Sequence, residues 1–139
     1  MTMIDTPEGI QFVKACSRKG ALSLEIQGMH RSGKQQTAHS IVKEVYGFRG
    51  SRQSVLEDLT EYIEAELRLR KLPEPMFKGV VAETQRLIDW LTERGQLDQP
   101  HFESVIAAGE ANGDMQHEQR QAMSDMFYVM IVRQNAGGR

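Results

Sequence analysis

The chain has 139 residues, of which 40% are hydrophobic and 26% are charged, and its formal net charge at pH 7 is −2. This composition is typical of a folded globular protein rather than of a disordered or membrane-embedded chain, and the length suffices to bury a core without a disulfide or a metal. The single cysteine excludes an internal disulfide and favours a reducing compartment. Because no apolar run approaches the ~20 residues of a membrane span and no leader is visible at the N-terminus, we expect a cytoplasmic protein.

A first helix is predicted over residues 7–17, where a threonine suited to the N-cap precedes a proline suited to the first helical position. Ile10, Val13 and Cys16 share one face of this helix. We expect that face to be apolar core, with the cysteine as a small buried residue.

Residues 21–27 fit two periodicities. Leu22, Leu24 and Ile26 alternate as in a strand, whereas Leu22, Ile26 and Met29 also fit a helical stripe. Alanine, leucine and glutamate are good helix formers, and no second strand candidate exists to pair with a lone strand. The sequence therefore favours helix here, followed by a polar loop over 28–36.

Two further helices are predicted before the middle of the chain, one over 37–46 and one over 51–71, with the second capped by Ser51. The apolar positions of the second of these helices are expected to face inward: Val55, Leu59, Tyr62, Ile63 and Leu67. Its outer face is expected to carry two ion pairs at i,i+4, namely Glu64 with Arg68 and Glu66 with Arg70.

The prolines between Leu72 and Pro75 predict a helix break, since proline donates no hydrogen bond and restricts the residue before it. We expect this break to separate a basic helical subdomain, residues 1–71, from an acidic helical subdomain, residues 72–139.

Three helices are predicted in the second half: one over 75–94, a short one capped by Asp98 and a last one capped by Asp114. The sequence thus predicts an all-α protein of six to seven short helices in a bundle-like arrangement. The last helix carries a methionine stripe, which is ordinary core if buried and an adaptable partner interface if exposed: Met123, Met126 and Met130.

Charge is distributed unevenly along the chain. Residues 14–53 hold eight lysines and arginines against two glutamates, whereas the remainder has a surplus of eight negative charges. This basic segment is expected to engage an anionic partner, with nucleic acid as the first choice and an acidic protein surface as the second.

Residues 37–66 have the outline of a helix-turn-helix. The side chains that would neutralise phosphates or contact bases lie in or near its turn and at the start of its second helix: Arg31, Lys34, Lys43, Arg49, Arg52 and Gln53. This hypothesis requires Arg49 and Arg52 to be exposed and unpaired.

Two observations oppose that hypothesis. Two helices joined by a turn that contains glycine are a common unit of helical proteins. The second helix also becomes acidic after its first turn. If Arg49 or Arg52 were tied to Glu44, Glu57 or Asp58, we would favour a protein-interaction module instead. Such a module would be an adaptor, inhibitor or assembly factor of bacterial or phage origin, and a homodimer is compatible with it.

The segment from Gly28 to Lys34 matches the phosphate-binding pattern G-x-x-x-x-G-K. Gln35 stands where that motif needs a serine or threonine for Mg²⁺, and the parallel strands of such a fold are missing from the predicted elements. The histidines lack zinc-ligand spacing, and no nucleophile–base set has a local signature. We therefore expect a binding protein without catalytic residues, metal or cofactor.

Overall fold

The computed structural model describes residues 7–28, 36–137 and 139, with side chains from Gly9 onward. Over these residues the chain forms six α-helices and no strand, which confirms the prediction of an all-α, bundle-like protein. The helices are α1 Pro7–Ile26, α2 Ala38–Tyr46, α3 Arg52–Arg70, α4 Glu74–Glu93, α5 Gln99–Ala111 and α6 His117–Ala136. None of these helices combines the length and the apolarity needed to cross a bilayer.

The helix α1 joins two segments that the sequence analysis treated separately. Helix is confirmed for residues 21–26, and Gly20 lies inside a continuous helix of 20 residues. The prediction for its buried face is wrong, because Ala15, Leu22 and Glu25 are buried while Ile10, Val13 and Cys16 are exposed. Two faces of α1 are rich in small or apolar residues. The face that packs against α2 is not the face that the spacing of apolar residues predicted to be buried.

Local capping fixes both ends of α2, whose bounds were predicted to within one residue, and the start of α3, where the predicted Ser51 cap is confirmed. The Thr37 hydroxyl accepts a hydrogen bond from the Ser40 amide, and the Ser51 hydroxyl accepts one from the Ser54 amide. Gly47 ends α2 in the left-handed conformation at φ 74°, which a residue with a Cβ rarely adopts. Within α3, Leu67 is exposed, so its predicted burial is wrong.

The chain divides into two compact units. The first comprises the described residues of Met1–Glu64 together with Ile131–Arg139, and the second comprises Ala65–Met130. The helices α3 and α6 each contribute residues to both units. A helix break occurs between Arg70 and Glu74, as predicted, and it lies inside the second unit. The functional division into 1–71 and 72–139 stays a prediction.

The second unit contains α4, which packs against α5, and a core of aliphatic and aromatic side chains. The rings of Phe102 and Phe127 stack with centroids 4.1 Å apart and planes 6° from parallel. The Asp98 carboxylate caps α5 by accepting from the His101 amide at 2.8 Å, as predicted.

Two predictions in the second unit are wrong. Asp114 does not cap α6, because its amide donates to the Gly109 carbonyl oxygen (2.8 Å) and the helix begins three residues later. The two ion pairs predicted on the outer face of α3, Glu64 with Arg68 and Glu66 with Arg70, are also not found as predicted. Glu66 does pair with Arg70 (3.1 Å) but is buried, while Arg68 binds Asp125 through two hydrogen bonds of 2.9 Å. The buried carboxylates of Glu66 and Asp125 each need a partner, and Arg70 and Arg68 supply it, although the Arg68 side chain remains 48% exposed.

Candidate functional site

The α2–α3 corner, which we define as α2, the turn 47–51 and the first turn of α3, lies within residues 37–66, for which the sequence predicts the outline of a helix-turn-helix. Gly47 and Gly50 have φ angles of 74° and 112°, which turn the chain between the two helices. The His39 side chain donates from Nε2 to the Gly50 carbonyl oxygen (2.9 Å), and the Asn135 amide donates to the Tyr46 carbonyl oxygen (3.1 Å). The corner is therefore held by one hydrogen bond from α2 and one from α6.

A buried carboxylate, Glu25, anchors this corner from α1. It is 3% exposed and accepts hydrogen bonds from the amides of Ala38 (2.7 Å) and His39 (3.3 Å) and from Nε of Arg52 (2.8 Å). The two amides are free N–H groups in the first turn of α2, where a negative charge is favourable. Glu25 thus ties α1, α2 and α3 together.

These contacts perturb the acidity of Glu25. Burial alone would raise the pKa of its carboxyl group, but the hydrogen bonds from Arg52 and from the Ala38 and His39 amides outweigh burial and hold the pKa below its ordinary value of 4.5. The charged form is therefore the one that the fold stabilises.

The pKa of Glu25 predicts how stability depends on pH. A carboxyl group whose pKa is lower in the folded state stabilises the fold above its ordinary pKa, and this contribution is lost as the pH falls through the folded value. We expect the free energy of unfolding of the wild type to exceed that of Glu25→Gln at pH 7, and the difference to shrink steadily below about pH 4.5. Urea unfolding of the wild type and of Glu25→Gln across this pH range measures the difference in free energy. A difference that stays constant with pH would contradict the lowered pKa of Glu25.

Arg52 does not satisfy the requirement of the nucleic-acid hypothesis. Its guanidinium is ion-paired with Glu25 at 2.8 Å, although its side chain is 42% exposed. The condition that Arg52 be unpaired is therefore not met. The partner is a carboxylate that the sequence analysis did not consider, since Glu25 lies 27 residues away on a segment whose structure was ambiguous.

The other predicted contact residues differ in their surroundings. The side chains of Lys43 and Arg49 are exposed and, among the described residues, have no hydrogen-bond or ion-pair partner. Gln53 is exposed and donates to the Glu57 carboxylate at 3.4 Å. Arg31 and Lys34, with most of the G-x-x-x-x-G-K segment, lie outside the described residues. The corner thus presents two free cations in the described structure.

Other cations of the basic segment have partners within the first unit. Arg18 lies over the Tyr46 ring at 5.5 Å, donates to the Tyr46 hydroxyl and donates to the backbone oxygen of Arg139, which Lys14 also approaches at 3.4 Å. Glu44, on α2, pairs with the Arg139 guanidinium at 3.6 Å. Arg18 and Lys14, two cations of the basic segment, therefore contact groups within the first unit.

An acidic ridge follows the corner along α3. Its carboxylates are exposed and lie at helical spacing on the face that begins with Gln53: Glu57, Glu61 and Glu64. A surface of mixed sign results, with two free cations at the corner and three carboxylates along the adjoining helix.

The methionine stripe does not form an open surface. Met123 and Met126 are buried and Met130 is half-buried, so these side chains belong to the interior of α6 as the structure has it. This agrees with the first alternative of the sequence analysis, ordinary core.

No protein-family model, curated protein or solved structure gave a significant match to the chain. Within the described part of the chain, no group of three or more histidine, cysteine, aspartate or glutamate side chains is placed to hold a metal ion.

Proposed function

We propose that the protein is a non-enzymatic binding protein and that its α2–α3 corner and acidic ridge engage another protein. The observation that carries this proposal is the acidic ridge itself. A recognition helix in a DNA groove would bring its exposed face close to the phosphates, and here that face carries carboxylates that the phosphates would repel.

A protein partner accommodates both signs. Charge complementarity between two protein surfaces can place acidic groups against Lys43 and Arg49 and basic groups against the ridge, which fixes register and excludes wrong partners. The pairing of Arg52 with Glu25 supports the same choice, because it removes a cation that nucleic-acid binding would need.

Nucleic acid is the second candidate, and the exposure of Lys43 and Arg49 favours it. In that mechanism each cation that neutralises a phosphate steepens the salt dependence by about one unit of log K per unit of log salt. The two candidates give opposite results when the ridge is changed.

Charge reversal on the ridge distinguishes them. The triple variant Glu57→Lys, Glu61→Lys, Glu64→Lys is expected to lose a protein partner that co-purifies with the wild-type chain after nuclease treatment. The same variant is expected to bind a 20-base-pair duplex more tightly than the wild type, since three repulsive charges become attractive. Co-purification followed by mass spectrometry, and fluorescence anisotropy at about 50 and 200 mM salt, measure the two effects.

A triple reversal on α4 provides the matched control. Glu74, Asp89 and Glu93 are exposed, so replacing all three with lysine changes the net charge equally at a different surface. This control should retain the protein partner. If the partner is instead released by nuclease, and if Lys43→Glu with Arg49→Glu abolishes duplex binding by the wild-type chain, nucleic acid is the ligand and the protein-partner proposal is wrong.

A further inference from the structure

A cleft lies on the α2–α3 corner, and we call it the corner cleft. It has a volume of about 690 Å³, and the residues that line it include Lys43, Arg49 and Phe48. The side chains of Lys43 and Arg49 are exposed cations without a partner in the described chain, whereas Phe48 is half-buried. The Phe48 ring stacks on the buried ring of Tyr46 with centroids 5.6 Å apart, so the fold supports it from inside. The corner cleft thus combines two free positive charges with one aromatic wall.

One carboxylate, that of Glu44, also lines the corner cleft, but its charge is offset. Its Oε2 accepts a hydrogen bond from the Gln36 side chain (3.0 Å), and its Oε1 lies 3.6 Å from Nη1 of Arg139. An anion that enters the corner cleft therefore meets two free cations and a carboxylate whose charge a third cation compensates.

The last turn of α2, which is the negative end of the helix dipole, borders the corner cleft as well. Free carbonyl groups there would repel an anion, and donors occupy them. The backbone oxygen of Glu44 accepts a hydrogen bond from Nη2 of Arg139 (3.0 Å). That of Tyr46 accepts one from the Asn135 amide (3.1 Å). The Arg139 guanidinium thus covers a carboxylate and a backbone oxygen at once, which leaves the corner cleft attractive to negative charge.

We propose that the corner cleft binds a short acidic segment of the protein partner, with carboxylates on Lys43 and Arg49 and an apolar side chain on Phe48. This inference rests on the proposed function, for which it names a binding site and the chemistry of the partner. Arg139 is a positioning residue that acts through Glu44, because it cancels a charge that would weaken the site. A short peptide suits the corner cleft better than nucleic acid does, since a longer run of phosphates would extend to the adjoining acidic ridge.

Fluorescence anisotropy with a synthetic peptide tests the corner cleft directly. The probe is a fluorescein-labelled decapeptide of glutamates with one central phenylalanine. Reversing both cations, Lys43→Glu with Arg49→Glu, is expected to weaken binding of the probe by about 20-fold, and circular dichroism should show unchanged helix because both side chains are exposed. The matched control, Lys71→Glu with Lys78→Glu, changes the net charge equally at exposed positions of the second unit. It should weaken binding by less than about threefold, since salt screens distant charges.

A second probe, with alanine in place of the phenylalanine, tests the aromatic wall. Its binding is expected to be about fivefold weaker, because an apolar contact with Phe48 is lost. Equal affinity of the two probes, or equal affinity of the wild type and the Lys43→Glu, Arg49→Glu variant for the first probe, would overturn the proposal. Displacement of the first probe by oligothymidylate at a lower concentration than by the unlabelled peptide would overturn it as well, in favour of nucleic acid.

The role of Arg139 has a readout of its own. Arg139→Gln is expected to weaken binding of the first probe about threefold, because Glu44 then presents an uncompensated charge. In a Glu44→Gln background the same substitution should have a clearly smaller effect, whereas a purely structural role would not be relieved. Equal effects in the two backgrounds would contradict action through Glu44.

Co-purification separates this inference from the proposed function. The Lys43→Glu, Arg49→Glu variant is expected to lose the protein partner that the wild type retains after nuclease treatment. If the triple reversal on the acidic ridge releases that partner while the Lys43→Glu, Arg49→Glu variant keeps it, the proposed function stands and the assignment of the corner cleft is wrong. If no partner depends on the ridge, the proposed function is wrong, and the peptide titration decides the corner cleft by itself.

Discussion

Replacing Glu25 with alanine is expected to lower the free energy of unfolding by about 3 kcal/mol. The carboxylate accepts three hydrogen bonds at 2.7, 2.8 and 3.3 Å, from two amides of α2 and from Arg52. Its removal leaves two buried or half-buried amides without acceptors and a guanidinium without its counter-charge. Because the Arg52 side chain is 42% exposed and can be rehydrated, we expect the lower end of the range for broken buried ion pairs.

Urea unfolding followed by circular dichroism measures this effect. Glu64→Ala is the matched control, since Glu64 is an exposed glutamate of the same unit, and its expected change is within about 0.5 kcal/mol. If Glu25→Ala were as stable as Glu64→Ala, the anchoring of α2 by Glu25 would be wrong.

The sequence predicted what depends on local chemistry. The ends of α2, α3 and α5 follow from Thr37, Gly47, Ser51 and Asp98, because a cap is made by residues within one turn of each other. Asp114 failed as a cap although it is a suitable residue type. The connection instead closes the end of α5 locally: Gly113 has a φ of 81°, and the Asp114 amide donates to the Gly109 carbonyl oxygen five residues back, as in a Schellman motif.

The buried face of α1 could not be chosen from periodicity. One face carries Ile10 and Val13, and the opposite face carries Ala15 and Leu22, so both can be drawn as an apolar stripe. Which of them is buried depends on where α2 lies, and that is a non-local property.

The sequence predicted which segment carries exposed cations, but it did not predict which of these cations are ion-paired. Lys43 and Arg49 are exposed as expected, whereas the state of Arg52 is set by a residue on another helix. A signal was present in the composition: the basic segment contains only two carboxylates, Glu25 and Glu44, among eight cations. Glu25 is ion-paired with Arg52 of the same segment, as an excess of cations around few anions favours, whereas Glu44 is paired with Arg139 from the end of the chain.

Replacing Phe102 with alanine is expected to have the largest effect on stability, a loss of about 4 kcal/mol in the free energy of unfolding. Phe102 is fully buried and its ring stacks on Phe127 at 4.1 Å, so truncation removes a large apolar side chain and leaves a cavity between helices of the second unit. Leu97→Ala is the control, because Leu97 is exposed and its truncation should cost well under about 1 kcal/mol.

The same variants test whether the two units unfold together. Trp90 is the single tryptophan and lies in the second unit, so its fluorescence monitors that unit, whereas circular dichroism monitors every helix. Since α3 and α6 each contribute residues to both units, we expect coincident transitions by the two probes. Glu25→Ala, a change in the first unit, should then lower the unfolding midpoint reported by Trp90. A Trp90 transition that responds to Phe102→Ala but not to Glu25→Ala would show that the units unfold independently, and the stability lost at each site would then belong to that unit alone.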